Sequence, residues 1–184
     1  RLRGHIRDTS RMLWIIYGGL SVLELILLGT IGRLSFFDSL CHMFGTMATG
    51  GFSPMDASIG AYRSTTVNVI VICFMFMAGI NFALYYALLW QRSLRQVWNN
   101  AELRLYVLLL LAGGVFITTD LLLNASLSTS EAIEQAAFHT VSIQTTTGFV
   151  IGDFDQWPAF SRMALLGLMV VGASAGSTGG GMKV

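Results

Sequence analysis

Long apolar runs alternate along this chain with short segments of glycine, hydroxylated residues and charge. Met12 to Gly32 is apolar for about 20 residues, the length that carries a helix across a bilayer core. Glu24 interrupts it near the middle, where a charge costs about 2.5–3.5 kcal/mol, so its carboxyl is expected to face protein or water. Phe36 to Met47 is apolar but too short to cross. With Ser35 or Asp38 as a start signal, it predicts a half-length helix that enters the membrane and stops there. Thr46-Met-Ala-Thr-Gly-Gly-Phe-Ser53 follows, and Pro54 and Asp56 return the chain to water. Irregular backbone at such depth is tolerated only where protein covers it or where it lines a watery cavity. Ser64 to Trp90 predicts one continuous span, long enough to cross with tilt. Its polar interior positions, Asn68 and Asn81, are expected to hydrogen-bond between helices or to line a pore.

The order then recurs. Leu103 to Leu123 predicts a span, Ser128 or Ser130 with Glu131 starts a short helix through Val141, Ile143-Gln-Thr-Thr-Thr-Gly-Phe149 is a second irregular stretch, and Pro158 to Val171 begins another span. Shifting the chain by 97 residues places His42 on His139, Thr49 on Thr146, Gly51 on Gly148, Phe52 on Phe149, Asp56 on Asp153 and Ser64 on Ser161. The expected architecture is therefore an all-α membrane protein of tandem span, re-entrant pore helix and span repeats, at 1–97 and, truncated, at 98–184.

Composition agrees. Of 184 residues 54% are hydrophobic and 11% charged, against roughly 25% charged in soluble domains. Cys41 and Cys73 lie in apolar surroundings and are expected to be reduced, buried packing residues. No metal-ligand spacing and no nucleophile–base constellation occurs, so an enzyme, a cofactor and a nucleic-acid partner are not expected. The basic opening lacks the short apolar core and cleavage site of a signal peptide. Without an initiator methionine, and running out of a glycine cluster, the chain is expected to be part of something longer.

The net charge of +1 hides an asymmetry. Residues 33–63 and 120–162 hold Arg33, Arg63 and Arg162 against Asp38, Asp56, Asp120, Glu131, Glu134, Asp153 and Asp155. The other side holds Arg1, Arg3, Arg7, Arg11, Arg92, Arg95, Arg104 and Lys183 against Asp8 and Glu102. Positive residues favour the cytoplasm, which places the termini and the 91–103 loop inside and an acidic mouth outside.

A helix ending inside the membrane presents unpaired carbonyls carrying about half a negative charge, which favours a cation. Small residues and glycines beyond it let backbone carbonyls turn inward, and rings of such carbonyls can replace a cation's hydration shell. The carbonyls of Ala48, Thr49, Gly50 and Gly51, and of Thr145, Thr146, Thr147 and Gly148, are the candidate ligands of a passing cation. A single loop of this kind also reads as a glycine turn between packed helices; two copies in matching positions argue against that. His42 and His139 are expected to pack or hydrogen-bond rather than coordinate, and Phe52 and Phe149 to wedge against neighbouring helices.

Gly172-Ala-Ser-Ala-Gly-Ser-Thr-Gly-Gly-Gly-Met-Lys183 lacks the Gly-Lys-Ser/Thr ending of a phosphate-binding loop. Gly172, Gly176 and Gly180 have the spacing of close helix packing, yet Gly179, Gly180 and Gly181 in succession, with Ser174, Ser177 and Thr178, argue for a break, since each glycine costs a helix about 1 kcal/mol. Such a break beneath a filter would be a movable obstruction. In the first unit Ala78-Gly-Ile-Asn81 is expected to continue as ordinary helix.

Thr49-Gly-Gly-Phe52, Thr145-Thr-Thr-Gly-Phe149 and Ala175-Gly-Ser-Thr-Gly-Gly-Gly-Met-Lys-Val184 resemble the Trk/Ktr/HKT superfamily of potassium transporters, most closely its bacterial TrkH branch, over nearly the whole chain. The resemblance implies a potassium-channel-like fold of four such repeats, of which this chain would be the second and third. It makes Gly51 and Gly148 the one consistent glycine of each filter segment and 172–181 an intramembrane gate. It further implies potassium uptake across the bacterial inner membrane by a homodimer, opened by a TrkA-like cytoplasmic nucleotide-binding ring. Gly50 stands where the second segment has Thr147, so the two copies are not interchangeable. Two other classes stay open: an ion-coupled secondary transporter with a midplane site formed by broken helices, and a membrane assembly subunit that transports nothing.

Overall fold

The computed structural model describes residues 2–125 and 127–183, with side chains from residue 10 onward. Arg1, Val184 and the side chains of Arg3, Arg7 and Asp8 lie outside the described residues. The fold is all helical. Helix α1 (Leu2–Thr30) is followed by the short re-entrant α2 (Phe36–Met47), and α3 (Thr65–Ala78), α4 (Phe82–Leu89) and α5 (Leu94–Trp98) lead on. The order returns with α6 (Ala101–Asn124), the short α7 (Thr129–Gln144) and α8 (Ala159–Val171). Ser35 caps α2, its hydroxyl accepting the Asp38 amide proton at 3.1 Å. Ser128 caps α7 in a reciprocal capping box with Glu131, and that helix runs one turn past its expected end, to Gln144.

Residues Ser10–Thr30 of α1 and the whole of α6 are long and apolar enough to cross a membrane. Trp14, Val22 and Ile26 on the first, and Leu108, Leu111 and Phe116 on the second, are exposed. In water such a surface would drive association; against lipid chains it needs no partner.

The stretch 64–90 departs from the expected single span. It is broken after Ala78, and α3 and α4 meet at 92°. Asn81 is the reason on the α4 side, because its side chain accepts the Ala83 amide proton at 2.9 Å and starts a new helix. The backbone groups released by the break are taken up by the glycine-rich segment. Ser174 N donates to Gly79 O (3.1 Å), Thr178 N to Ala78 O (3.3 Å), and Phe82 N to Gly176 O (3.1 Å). A break at membrane depth is tolerable only with such partners.

The two halves are joined by a core of Leu28, Ile59, Val67, Val71, Met75, Phe138 and Phe149, drawn from both. Asn68 crosses the same boundary and donates to Glu134 Oε1 at 2.9 Å. The loops that follow the two irregular segments are stitched as well, with Gly60 N donating to Val150 O at 3.1 Å. Glu24 is fully buried, as its position demanded, and neither carboxyl oxygen has a hydrogen-bond partner among the described residues. Cys73 does not fit the expectation of burial. It faces outward from α3, and Cys41 is half-buried.

Candidate functional site

Both irregular segments begin as the C-cap of a re-entrant helix, Ala48 on α2 and Thr145 on α7. Their backbones then follow the same path. Thr49 N donates to Thr46 O at 3.0 Å, and Gly50 N and Gly51 N both donate to Gly45 O, at 2.8 and 3.2 Å. At an offset of 97, Thr146 N donates to Ile143 O at 3.0 Å, and Thr147 N and Gly148 N both donate to Ser142 O, at 2.9 and 3.2 Å. Thr49 and Thr146 have φ of 51° and 58°, and Gly51 and Gly148 of 65° and 87°. These alternate left-handed residues turn the chain away from the helix axis. With the amides spent on the last helical turn, the carbonyls of 48–51 and 145–148 are left for other partners.

The segments are neighbours. A Cβ built on Gly51 would overlap the Thr147 carbonyl, and one on Gly45 would stand 2.9 Å from the Phe149 ring. Phe149 is thus the wedge expected of it, fully buried, its ring centroid 5.7 Å from that of His42. Phe52 is not a wedge here: it is 83% exposed, with no recess among the described residues to receive it as Gly45 receives Phe149. His42 donates from Nδ1 to Asp38 O at 2.7 Å and accepts from the Ser53 hydroxyl at 3.1 Å. His139 donates to Gln135 O at 2.9 Å and sits among Phe154 and Trp157. Neither is placed as a ligand.

The glycine-rich segment runs on from α8 as irregular chain and passes against both loop segments. Gly172, Gly176 and Gly181 have positive φ. Thr49 Oγ1 donates to Thr178 O at 2.9 Å, and Gly180 N donates to Thr146 Oγ1 at 2.6 Å. The fully buried Thr145 carbonyl borders Gly179, where a Cβ would stand 2.9 Å away. All eight loop residues and the segment 172–181 are thus gathered at one place.

The matching family model, described as a cation transport protein, covers residues 2–184. The chain belongs to the TrkH family. It is 39% identical over 185 residues to the Trk system potassium uptake protein TrkH of Escherichia coli K12, and 37% to that of Halomonas elongata. In each case all of this chain aligns with 38% of the relative's length. The crystal structure of the potassium transporter TrkH from Vibrio parahaemolyticus superposes with a TM-score of 0.91 at 35% identity, covering 97% of this chain and 38% of that one. The chain therefore spans well under half of the TrkH relatives it matches.

Within the TrkH frame several residues emerge for which the sequence alone predicts no role. Glu102 accepts a hydrogen bond from the Ala175 amide, and Lys183 donates to the Gly179 carbonyl. Tyr106 is fully buried beside Gly79 and donates to Phe76 O at 3.2 Å. Ser142 donates to Phe149 O at 2.7 Å. Glu102, and the break at 79–81 beside Tyr106, carry signals in hindsight. Glu102 is the lone acid of the 91–104 region beside Arg92, Arg95 and Arg104, and Gly79 with Asn81 is a helix stop followed by a helix start.

Proposed function

We propose that this chain is two consecutive pore units, 1–97 and 98–184, of a gated, carbonyl-lined conduit for potassium uptake. The observation that carries the reading is the pair of irregular segments with one backbone hydrogen-bond pattern, placed side by side at the ends of two re-entrant helices. The helix ends add partial negative charge where a cation would lose water. Carbonyls of Ala48, Thr49, Gly50, Gly51, Thr145, Thr146, Thr147 and Gly148 form part of the filter, and the segment Gly172–Gly181 is the gate beneath it. The relatives are named potassium uptake proteins, which supplies the ion. The arginine distribution supports cytoplasmic ends and a cytoplasmic 91–103 loop, with the bacterial inner membrane as the setting. A homodimer and a TrkA-like nucleotide-binding ring belong to the same proposal and rest on kinship alone.

The test uses the full-length protein in proteoliposomes. Potassium flux is expected to follow voltage without a co-transported ion, and Gly51→Leu or Gly148→Leu to abolish it or destroy its ion preference. Flux and selectivity unchanged in both variants sink the filter, and flux that requires a second ion moves the protein into the coupled-transporter class.

A further inference from the structure

Thr49 and Thr146 hold equivalent positions, and both occupy the left-handed region, with φ of 51° and 58°. A β-branched residue is a poor choice there; glycine or asparagine would satisfy the backbone at lower cost. The side chains therefore have a use that the fold of the loop alone does not explain. Both reach the glycine-rich segment, and they do so with opposite polarity. The Thr49 hydroxyl shares its one proton between Ala48 O at 2.7 Å and Thr178 O at 2.9 Å. The Thr146 hydroxyl accepts from Gly180 N at 2.6 Å.

Residues 178–180 are thus gripped once by a carbonyl and once by an amide, from two halves of the molecule. Gly179 between them leaves no room for a larger residue, since a Cβ there would stand 2.9 Å from Thr145 O and 2.5 Å from Ala173 Cβ. A Cβ on Gly180 would stand 3.0 Å from the Thr146 hydroxyl, so only glycine lets the amide come this near.

We infer that the hydroxyls of Thr49 and Thr146 form a two-point latch that holds the glycine-rich segment closed against the loop segments. The same two residues whose carbonyls are proposed to meet the ion then position the gate, so that moving one element requires releasing the other. This inference rests on the conduit reading for its meaning in flux, but the latch itself is a matter of structure and is tested separately.

The experiment measures amide hydrogen exchange across 176–182 by mass spectrometry in the full-length protein, for Thr49→Val, Thr146→Val and the double variant. Valine keeps the shape and removes the hydroxyl. Exchange in the double variant is expected to be about tenfold faster, as for the loss of one hydrogen bond of ordinary strength and of a share in a second. The serine variants, which keep the hydroxyl, are expected to exchange slowly. Should valine prevent folding, alanine reads the same loss. Exchange in the double variant no faster than in the wild type overturns the latch, as does equally fast exchange in the serine variants. In proteoliposomes the valine variants are expected to raise potassium flux, and to add nothing in a protein already lacking 174–180. A change in selectivity of equal size with and without 174–180, at unaltered exchange, assigns the hydroxyls to the filter and rejects the latch. Faster exchange with no flux in any variant, the 174–180 deletion included, leaves the latch standing and overturns the conduit instead.

Discussion

The segments 46–53 and 143–149 share their backbone and little else. Gly45 and Ser142 accept the same pair of amide protons, yet one is bare and the other carries a hydroxyl that donates to Phe149 O at 2.7 Å. Gly50 and Thr147 occupy the middle position, and the Thr147 hydroxyl is 2.8 Å from that of Thr145, a contact the first segment has no atoms to make. What is held constant is the alternation of left-handed residues, at 49 and 51 and again at 146 and 148. The non-interchangeability expected from Gly50 and Thr147 is therefore one of side chains. The hydrogen bonds of the backbone absorb the replacement without a change of path.

Surroundings divide the two segments further. Gly51 lies against the Thr147 carbonyl, whereas nothing among the described residues comes within 4 Å of a Cβ on Gly148. Gly51→Ala is accordingly expected to have the largest effect, a collision added to the cost of about 1–2 kcal/mol for a left-handed alanine, and to eliminate potassium flux in the full-length protein. Gly148→Ala carries the conformational cost alone and is expected to leave measurable flux; equal losses in the two would show that Gly148 also has a close neighbour in the complete protein. Next in size is the phenylalanine pair. Phe149→Ala removes a fully buried ring and is expected to cost about 3 kcal/mol or more, read as a lowered thermal midpoint in detergent. Phe52→Ala is expected to cost far less, and a matching loss would mean that its exposed ring is covered by a preceding unit. The smallest effect separates the caps. Ser128→Ala breaks a reciprocal box and is expected to cost about 1 kcal/mol, Ser35→Ala, with its single bond, somewhat less.

Much of the fold is legible in the sequence because membrane depth restricts the choices. Apolar runs of about 20 residues read as spans, and the run at 36–47 and the short helix expected to end at Val141 are too short to cross, which with the irregular segments behind them reads as re-entrant. Cap residues narrow the starts of α2 and α7 to two candidates each, of which the structure uses Ser35 and Ser128. The break at 79–81 is hidden because hydropathy continues across it unchanged; its cause is a partner about 95 residues away that supplies hydrogen bonds to Ala78, Gly79 and Phe82. Phe52 and Phe149 match in sequence and so suggest one role, but burial depends on which neighbour is present. Cys73 sits in an apolar run, and apolar surroundings in a chain do not say which face of a helix meets lipid. Repetition picks out the eight loop residues but not the hydroxyl contacts of Thr49 and Thr146, since side-chain direction in a left-handed turn leaves no trace in residue order.

The burial of Phe149 against Gly45 gives the assembly a direction in time. The first half leaves the ribosome with an unfilled recess beside α2, and the ring that fills it is synthesised about a hundred residues later. Until then the first half is a socket awaiting its plug. Within this chain the first half is completed by the second, so a product truncated before Phe149 is expected to leave the space beside Gly45 open.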